Sequence, residues 1–334
     1  MASPLAMQAG NPDRVGSAGA SHLLINPWSR SAGLVNANMA SITGVEASFL
    51  NVAGLAFVDR TQLQFANTQY LVGTDIQVNS FGLGQKVGES GVIGLSVMAM
   101  SFGDIPITTE ELPEGGIGSF SPNMSTIGIS YAKAFSNSIY GGITARLISE
   151  SISNVRAQGI AFDAGIRYVT GDNDQLKFGI ALRNVGPPMR FSGDGLTETV
   201  TVQSTGTTLT ASQRSERYEL PSLVNIGVSY DFLFTETTKL VANGAFTSNS
   251  FTRDQFALGA ELNWNDRVML RGGYLWESEL TNDDARQTAI NGPGGGITLQ
   301  IPAGANGTII GADYAYRTSN PFNGIHSIGL HVTL

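Results

Sequence analysis

The sequence predicts an all-β protein: a transmembrane antiparallel β-barrel of about fourteen strands with a short N-terminal plug segment. Three observations carry this expectation. Runs of roughly ten residues recur along the chain, close to the length a tilted strand needs to cross a bilayer. Within a run, apolar and polar side chains alternate, so each strand has one greasy and one polar face. The connections between runs sort by parity, short at one end and longer at the other.

Residues 1–60 read differently from the rest. Gly10 to Gly19 is loop-like, and Leu23-Leu24-Ile25-Asn26-Pro27-Trp28 is a short apolar run among small residues. The segment from 20 to 58 is too short for a domain and too apolar for a free tail. It is expected to lie against or inside the lumen as a plug, with Leu24, Ile25, Trp28 and Leu34 packed inward; a free periplasmic arm is the alternative. Met1 to Gly10 has neither the charged start nor the continuous apolar stretch of a signal peptide. A mature chain, its signal already removed, is the expectation.

Residues 61–334 are expected to form the barrel. The strand-like runs are 61–71, 74–86, 91–101, 123–134, 138–149, 160–170, 175–184, 223–232, 238–247, 254–264, 267–277, 293–301, 306–316 and 325–334. In 175–184, Leu176, Phe178, Ile180 and Leu182 share one face, against Lys177, Gly179, Ala181 and Arg183. In 254–264, Phe256, Leu258, Ala260, Leu262 and Trp264 oppose Gln255, Gly259, Glu261 and Asn263. A soluble sandwich would show the same alternation with its apolar faces turned inward. Loop parity separates the two. With the strands numbered upward from a periplasmic start, 87–90, 135–137, 171–174, 233–237, 265–266 and 302–305 fall on the periplasmic side, all short. The outer side holds 102–122, 150–159, 185–222, 248–253, 278–292 and 317–324, including every long connection. Both termini are then periplasmic, and the long loops extracellular.

Composition agrees. Charged residues are 14% of the chain, well below a typical soluble domain, yet mean hydropathy is only +0.03. No apolar stretch is long enough for a spanning helix. The net charge of −8 argues against nucleic acid. Without cysteine there is no disulfide frame, thiolate metal site or thiol nucleophile.

The candidate motifs are weighed against simpler readings. Gly294-Gly295-Gly296 lacks the lysine and following helix of a phosphate loop, so strand-entry glycines account for it. Asp172-Asn173-Asp174 has oxygen ligands suited to calcium but not the spaced remainder, and reads as a turn. His22, His326 and His331 are too scattered for a catalytic set. No catalytic residue, metal site or cofactor is assigned, and the chain is read as non-enzymatic. Arg146, Asp163, Arg167, Arg183, Glu261, Arg271 and Asp313 fall on polar faces and are placed in the lumen. Buried charges need partners, so a salt-bridged or wet lumen is one reading and a substrate path the other. Phe102, Ile105, Pro106 and Ile107 sit in one long outer loop, and Pro187, Pro188, Met189 and Phe191 in another. They either contact a partner or fold over the barrel mouth.

A family resemblance rests on ordered motifs. Asn51-Val52-Ala53-Gly54-Leu55 resembles the Asn-Pro-Ala-Gly-Leu element of FadL-like outer-membrane barrels. Ala20 to Gly33, Leu182-Arg183-Asn184-Val185-Gly186-Pro187 and Leu220-Pro221-Ser222-Leu223 resemble the PorV/PorQ branch of that superfamily. So do Leu270-Arg271-Gly272-Gly273-Tyr274, Asp313-Tyr314-Ala315-Tyr316 and His326-Ser327-Ile328-Gly329-Leu330. Val52 departs from the pattern, standing where many relatives have proline. The resemblance implies a fourteen-stranded bacterial outer-membrane barrel acting in the type IX secretion system of Bacteroidetes. Its implied partners are outer-membrane lipid and either a secretion translocon subunit or the C-terminal signal domain of secreted proteins. Transport of small hydrophobic molecules, as in FadL-like relatives, is the alternative.

Overall fold

A computed structural model describes residues 14, 16–202, 204, 206–280, 282, 286, 288–303 and 307–334. The readings of Met1 to Gly10 and of residues 304–306 lie outside these. Fourteen long antiparallel strands form the wall: β1 (Thr61–Gln69), β2 (Gln77–Val87), β3 (Gly91–Ser101), β4 (Asn123–Ala134), β5 (Ile139–Ile152), β6 (Val155–Thr170) and β7 (Leu176–Val185) make the first half. The second half is β8 (Leu223–Thr235), β9 (Thr238–Asn249), β10 (Gln255–Trp264), β11 (Val268–Glu277), β12 (Ile290–Ala303), β13 (Thr308–Ser319) and β14 (Ile325–Thr333). Each pairs with its sequence neighbours, and β1 closes on β14 with Gln62 opposite Thr333 and Phe65 opposite Leu330. The fold is thus a closed fourteen-stranded barrel, in which every strand has a neighbour on both sides.

Burial runs opposite to that of a soluble protein. Ile129 is 62% exposed and Leu258 69%, whereas Arg146 and Asp313 are 5% and 2% exposed. The apolar rows therefore face outward, where only lipid makes such exposure favourable, and the polar rows face the interior. No helix among the described residues is long and apolar enough to cross a membrane. Exposed aromatics gather near both ends of the strands. Tyr168, Phe232 and Trp264 lie near the short-turn end; Tyr274, Trp276, Phe256 and Tyr314 lie toward the long-loop end. Such rings prefer the headgroup level and mark the two membrane interfaces.

One expected loop is absent. Residues 150–159 continue β5 and β6 as a tight hairpin, with only Ser153 and Asn154 between the strands and Ser153 in a left-handed conformation (φ 50°). Here the strands have left the hydrocarbon layer: the outward row turns polar with Ser149, Ser151, Arg156 and Gln158, while the inward row carries the buried Ile148 and Ala157, so the alternation that marks a lipid-crossing strand disappears. Sheet pairing persists where its sequence signal does not.

The segment before β1 lines the inside of the wall. It contains two single-turn helices, α1 (Ser29–Gly33) and α2 (Ala47–Leu50), and 3₁₀ turns at Ser21–Leu24 and Val52–Phe57. Helices this short have no stability of their own and rely on their surroundings. Asn26 Oδ1 accepts the Trp28 N–H (2.9 Å), and Asn51 Oδ1 accepts the Ala53 N–H (3.2 Å), fixing two of the bends. Trp28, Leu34, Met39, Phe49, Leu50 and Leu55 are buried. The wall makes room for them with inward-facing glycines. A Cβ on Gly82 would sit 2.1 Å from Val45, one on Gly165 2.2 Å from Asn51, and one on Gly227 2.5 Å from Met39. Gly82, Gly84 and Gly273, which could be read as strand kinks, instead admit Val45, Leu55 and Val35.

The segment also runs from one end of the barrel to the other. Ala18 bridges to Glu219, at the long-loop end. Phe57 meets Tyr140 near the short-turn end (ring centroids 4.4 Å), just before β1 begins. Leu334 lies at that short-turn end, its N–H donating to the Thr61 carbonyl (2.9 Å). The first described residues lie at the opposite end, beside the long loops. The segment fills the lumen lengthwise, so its start is carried to the far mouth.

Candidate functional site

All seven lumen charges face inward, and the structure groups most of them. Arg146 Nη2 donates to Asp163 Oδ2 (2.6 Å), while Asp163 Oδ1 accepts the Asn184 N–H (2.7 Å). Arg183 stacks on the Phe49 ring (4.0 Å) and donates to the Leu23 carbonyl (3.3 Å). Arg167 donates to the Ile42 carbonyl (3.0 Å) with its guanidinium over Phe57 (4.3 Å). Across the lumen, Arg271 Nε donates to Glu261 (2.8 Å) and Nη2 to Thr298 (2.5 Å), whose hydroxyl donates to Asp313. His331 completes this set, with Nδ1 3.0 Å from Asp313 Oδ2. Arg146 also reaches the Ser48 carbonyl (3.4 Å), so three arginines of the wall meet carbonyls or rings of the inner segment, linking wall and filling by charge-assisted bonds.

Several members had no sequence signal. Arg30 and Glu46 of the inner segment face one another (3.9 Å), and Ser31 donates its N–H to Glu46 (3.4 Å). Lys177 pairs with Asp231 (2.5 Å), a cross-strand pair that alternation could have exposed. Around Arg30, Glu46, Arg167, Lys177 and Glu261, a polar cavity of about 380 Å³ opens toward the short-turn end.

The loop residues separate into two kinds. In 102–122, Ile105–Pro106 pairs with Ser119–Phe120, and Ile105, Ile107, Leu112 and Ile117 stand exposed. Phe102 is half-buried against Val78, Met98 and Met100. The loop carries Asp104, Glu110, Glu111 and Glu114 with no Lys or Arg. In 185–222 the chain folds back. Met189 is buried with Ala20, Leu23, Ile148 and Leu220, and Phe191 packs on Tyr218 (5.8 Å). Met189, weighed between a contact surface and a cover for the mouth, anchors its loop over the mouth, where Met189 and Tyr218 exchange backbone hydrogen bonds (2.9 Å each). Thr197–Val202 and Thr207–Ser212 form a projecting hairpin that leaves Val200 and Leu209 exposed.

The same mouth holds the start of the inner segment. Arg14 pairs with Glu219 (2.6 Å), the Gly19 N–H donates to the Glu219 carbonyl (3.0 Å), and His22 Nδ1 lies 3.3 Å from Glu150. Tyr218 donates its hydroxyl to the same Glu150. Of the inner-segment residues singled out from sequence, Trp28 and Leu34 are buried, while Leu24 and Ile25 are half-buried. The signal was displaced by one residue, since Leu23 holds the buried position beside Met189.

Neither weighed motif gathers a site. Gly294-Gly295-Gly296 lies within β12, and Asp172-Asn173-Asp174 forms the β6–β7 turn. Among the described residues no group of three or more His, Cys, Asp or Glu side chains is placed to hold a metal ion.

Solved structures share this architecture. The chain is similar to the CymD monoaromatic hydrocarbon channel (TM-score 0.56, 13% identity, 92% of this chain and 97% of that one). It is similar to the Pseudomonas putida toluene transporter TodX (0.54, 12%, 88% and 94%) and to a Pseudomonas aeruginosa FadL homologue (0.52, 12%, 92% and 96%). At these identities the likeness establishes a FadL-like barrel fold. No curated protein sequence matches. The family described as "Type IX secretion system protein PorV" matches residues 8–249, most of the chain, and so the chain belongs to that family of outer-membrane barrels.

Proposed function

We propose that the barrel is a non-enzymatic component of type IX secretion that binds a translocon subunit, or the C-terminal signal domain of an exported protein, through its long loops. In this reading the short turns face the periplasm and the long loops face outside. The observation that carries it is a lumen occupied from mouth to base by an inner segment that is hydrogen-bonded to the wall, alongside loops that expose aliphatic side chains. A filled barrel works by its rim. Ile105 and Ile107, with Leu112 and Ile117, supply apolar contact area on the acidic 102–122 loop. Met189 and Phe191 shape the other loop from beneath.

The test is the double variant Ile105→Asp and Ile107→Asp in the native membrane. Secretion of signal-domain cargo should fall about tenfold or more, with the barrel still folded by its heat-modifiable migration. Unchanged secretion and unchanged co-purification of the translocon would sink the loop assignment.

A second reading, passage of small hydrophobic molecules, is favoured by one observation besides the likeness to hydrocarbon channels. Gly244 leaves an apolar notch of about 470 Å³ on the lipid-facing wall, between Phe178, Ile226, Val228, Phe246, Phe256 and Leu258. Toluene uptake into vesicles that hold the purified protein separates the readings: uptake above empty vesicles, abolished by Gly244→Leu, would favour transport.

A further inference from the structure

The end of β8 outruns its neighbour. β7 pairs with β8 from Arg183 opposite Leu223 to Leu176 opposite Tyr230, and the Asp231 N–H donating to the Gln175 carbonyl (2.9 Å) is the last rung. From Phe232 onward the strand continues only against β9, with Phe232 opposite Leu240 and Thr235 opposite Thr238. Its other edge has no backbone partner among the described residues. An open space of about 310 Å³ lies there, bounded by Asn173 and Gln175 of the turn and by residues 230–234 of the strand.

The side chains of this overhang are unusual for a free edge. Phe232 continues the outward row of Ile226, Val228 and Tyr230, and its ring meets Tyr230 at 4.7 Å. An interfacial aromatic accounts for that residue. It does not account for Leu233, which lies on the opposite row with Asp231 and Ser229 and is 53% exposed, next to Phe234 at 63%. Free edges are ordinarily guarded by charge, by proline or by cover, because an unpaired row of N–H and C=O groups recruits another strand. Here three consecutive large apolar residues occupy the edge, and the one irregularity, a register shift against β9 between Leu233 and Thr235, falls at its far end. The flanking charges are of one sign: Asp172, Asp174 and Glu236 are exposed, and neither 170–176 nor 231–238 contains Lys or Arg. Lys177 is held by Asp231, and Lys239 is half-buried.

We propose that this edge docks an extended segment of a partner polypeptide, which adds as a strand beside Phe232–Thr235. Main-chain bonds supply the attachment, and alternate side chains of the incoming strand supply selectivity. One face of that strand meets Leu233. Basic residues flanking its apolar ones complement Asp172, Asp174 and Glu236. On the orientation proposed above, the partner comes from the periplasm. The site is separate from the long loops, so its failure leaves the loop assignment standing.

The experiment is amide hydrogen exchange on the full chain in lipid nanodiscs. The probes are synthetic peptides of about ten residues, one alternating Val and Lys, one alternating Val and Glu, and one Val–Lys peptide interrupted by a central Pro. The Val–Lys peptide should slow exchange at the free-edge amides, Leu233 foremost because its N–H shares the side of the Asp231 N–H, about tenfold or more, with little effect from the other two. Leu233→Lys, at an exposed position, should weaken Val–Lys binding about tenfold while heat-modifiable migration stays normal. The proposal is overturned if the amides are already protected by the bilayer without peptide, if Val–Glu protects as well as Val–Lys, if no peptide protects, or if Leu233→Lys binds like the native chain.

Discussion

Asp163 serves two donors at once, the Arg146 guanidinium and the Asn184 N–H, and all three residues are buried. Removing it leaves a buried cation unpaired. Asp163→Ala should cost about 3–5 kcal/mol in denaturant unfolding of the refolded barrel, and Asp163→Asn clearly less, since the amide still accepts. At this scale, period two was enough to place the seven charges inward. It could not identify their partners, because Ser48, Ile42, Phe49 and Leu23 belong to a segment without strand periodicity.

The inner segment and the strands around it constrain each other. Gly165 and Gly244 make the contrast testable. A Cβ at Gly165 meets Asn51 at 2.2 Å, whereas one at Gly244 points to lipid and meets Leu258 at an ordinary 3.6 Å. Gly165→Val should destabilise the barrel by about 2 kcal/mol or more, and Gly244→Val by less than about 1, measured as shifts in urea midpoint. Equal shifts would mean that the inner segment yields easily. Its direction through the lumen is open to a labelling test, since the chain has no cysteine. Ser17→Cys should react with a membrane-impermeant maleimide on intact cells, while Asn137→Cys, in the β4–β5 turn, should react only after lysis. The reverse pattern would invert the proposed orientation. The sequence showed that residues 20–58 were apolar enough to be covered, but not their path. That path is set by glycines spread over many strands, each unremarkable alone.

For the whole molecule, alternation was necessary and insufficient. The same Phe178, Ile180 and Leu182 row would suit a sandwich, with the apolar side buried. What separated the two was the parity of the connections, a property no single strand holds. The parity survives in the structure even though 150–159 proved to be sheet, because 102–122 and 186–222 still lie at one end. Sequence patterning failed wherever strands leave the bilayer. At the upper ends of β5 and β6 the outward face is polar and the inward face lies under the 186–222 loop, and at the lower end of β8 both faces are apolar. Alternation reports the lipid boundary rather than sheet pairing, so its lapses locate the parts that meet something other than lipid.

The closing seam joins Gln62 to Thr333 and Phe65 to Leu330, so the first and last strands meet only when the whole chain is present. The residues ahead of β1 are by then surrounded, touching β2, β6 and β8 from within. Assembly therefore has an imposed order. The wall must gather around its filling and seal last, at a contact of very large sequence separation, the slowest kind to form. Until that seam zips, β1 and β14 present bare edges, and the unfinished chain depends on being shielded from its own kind.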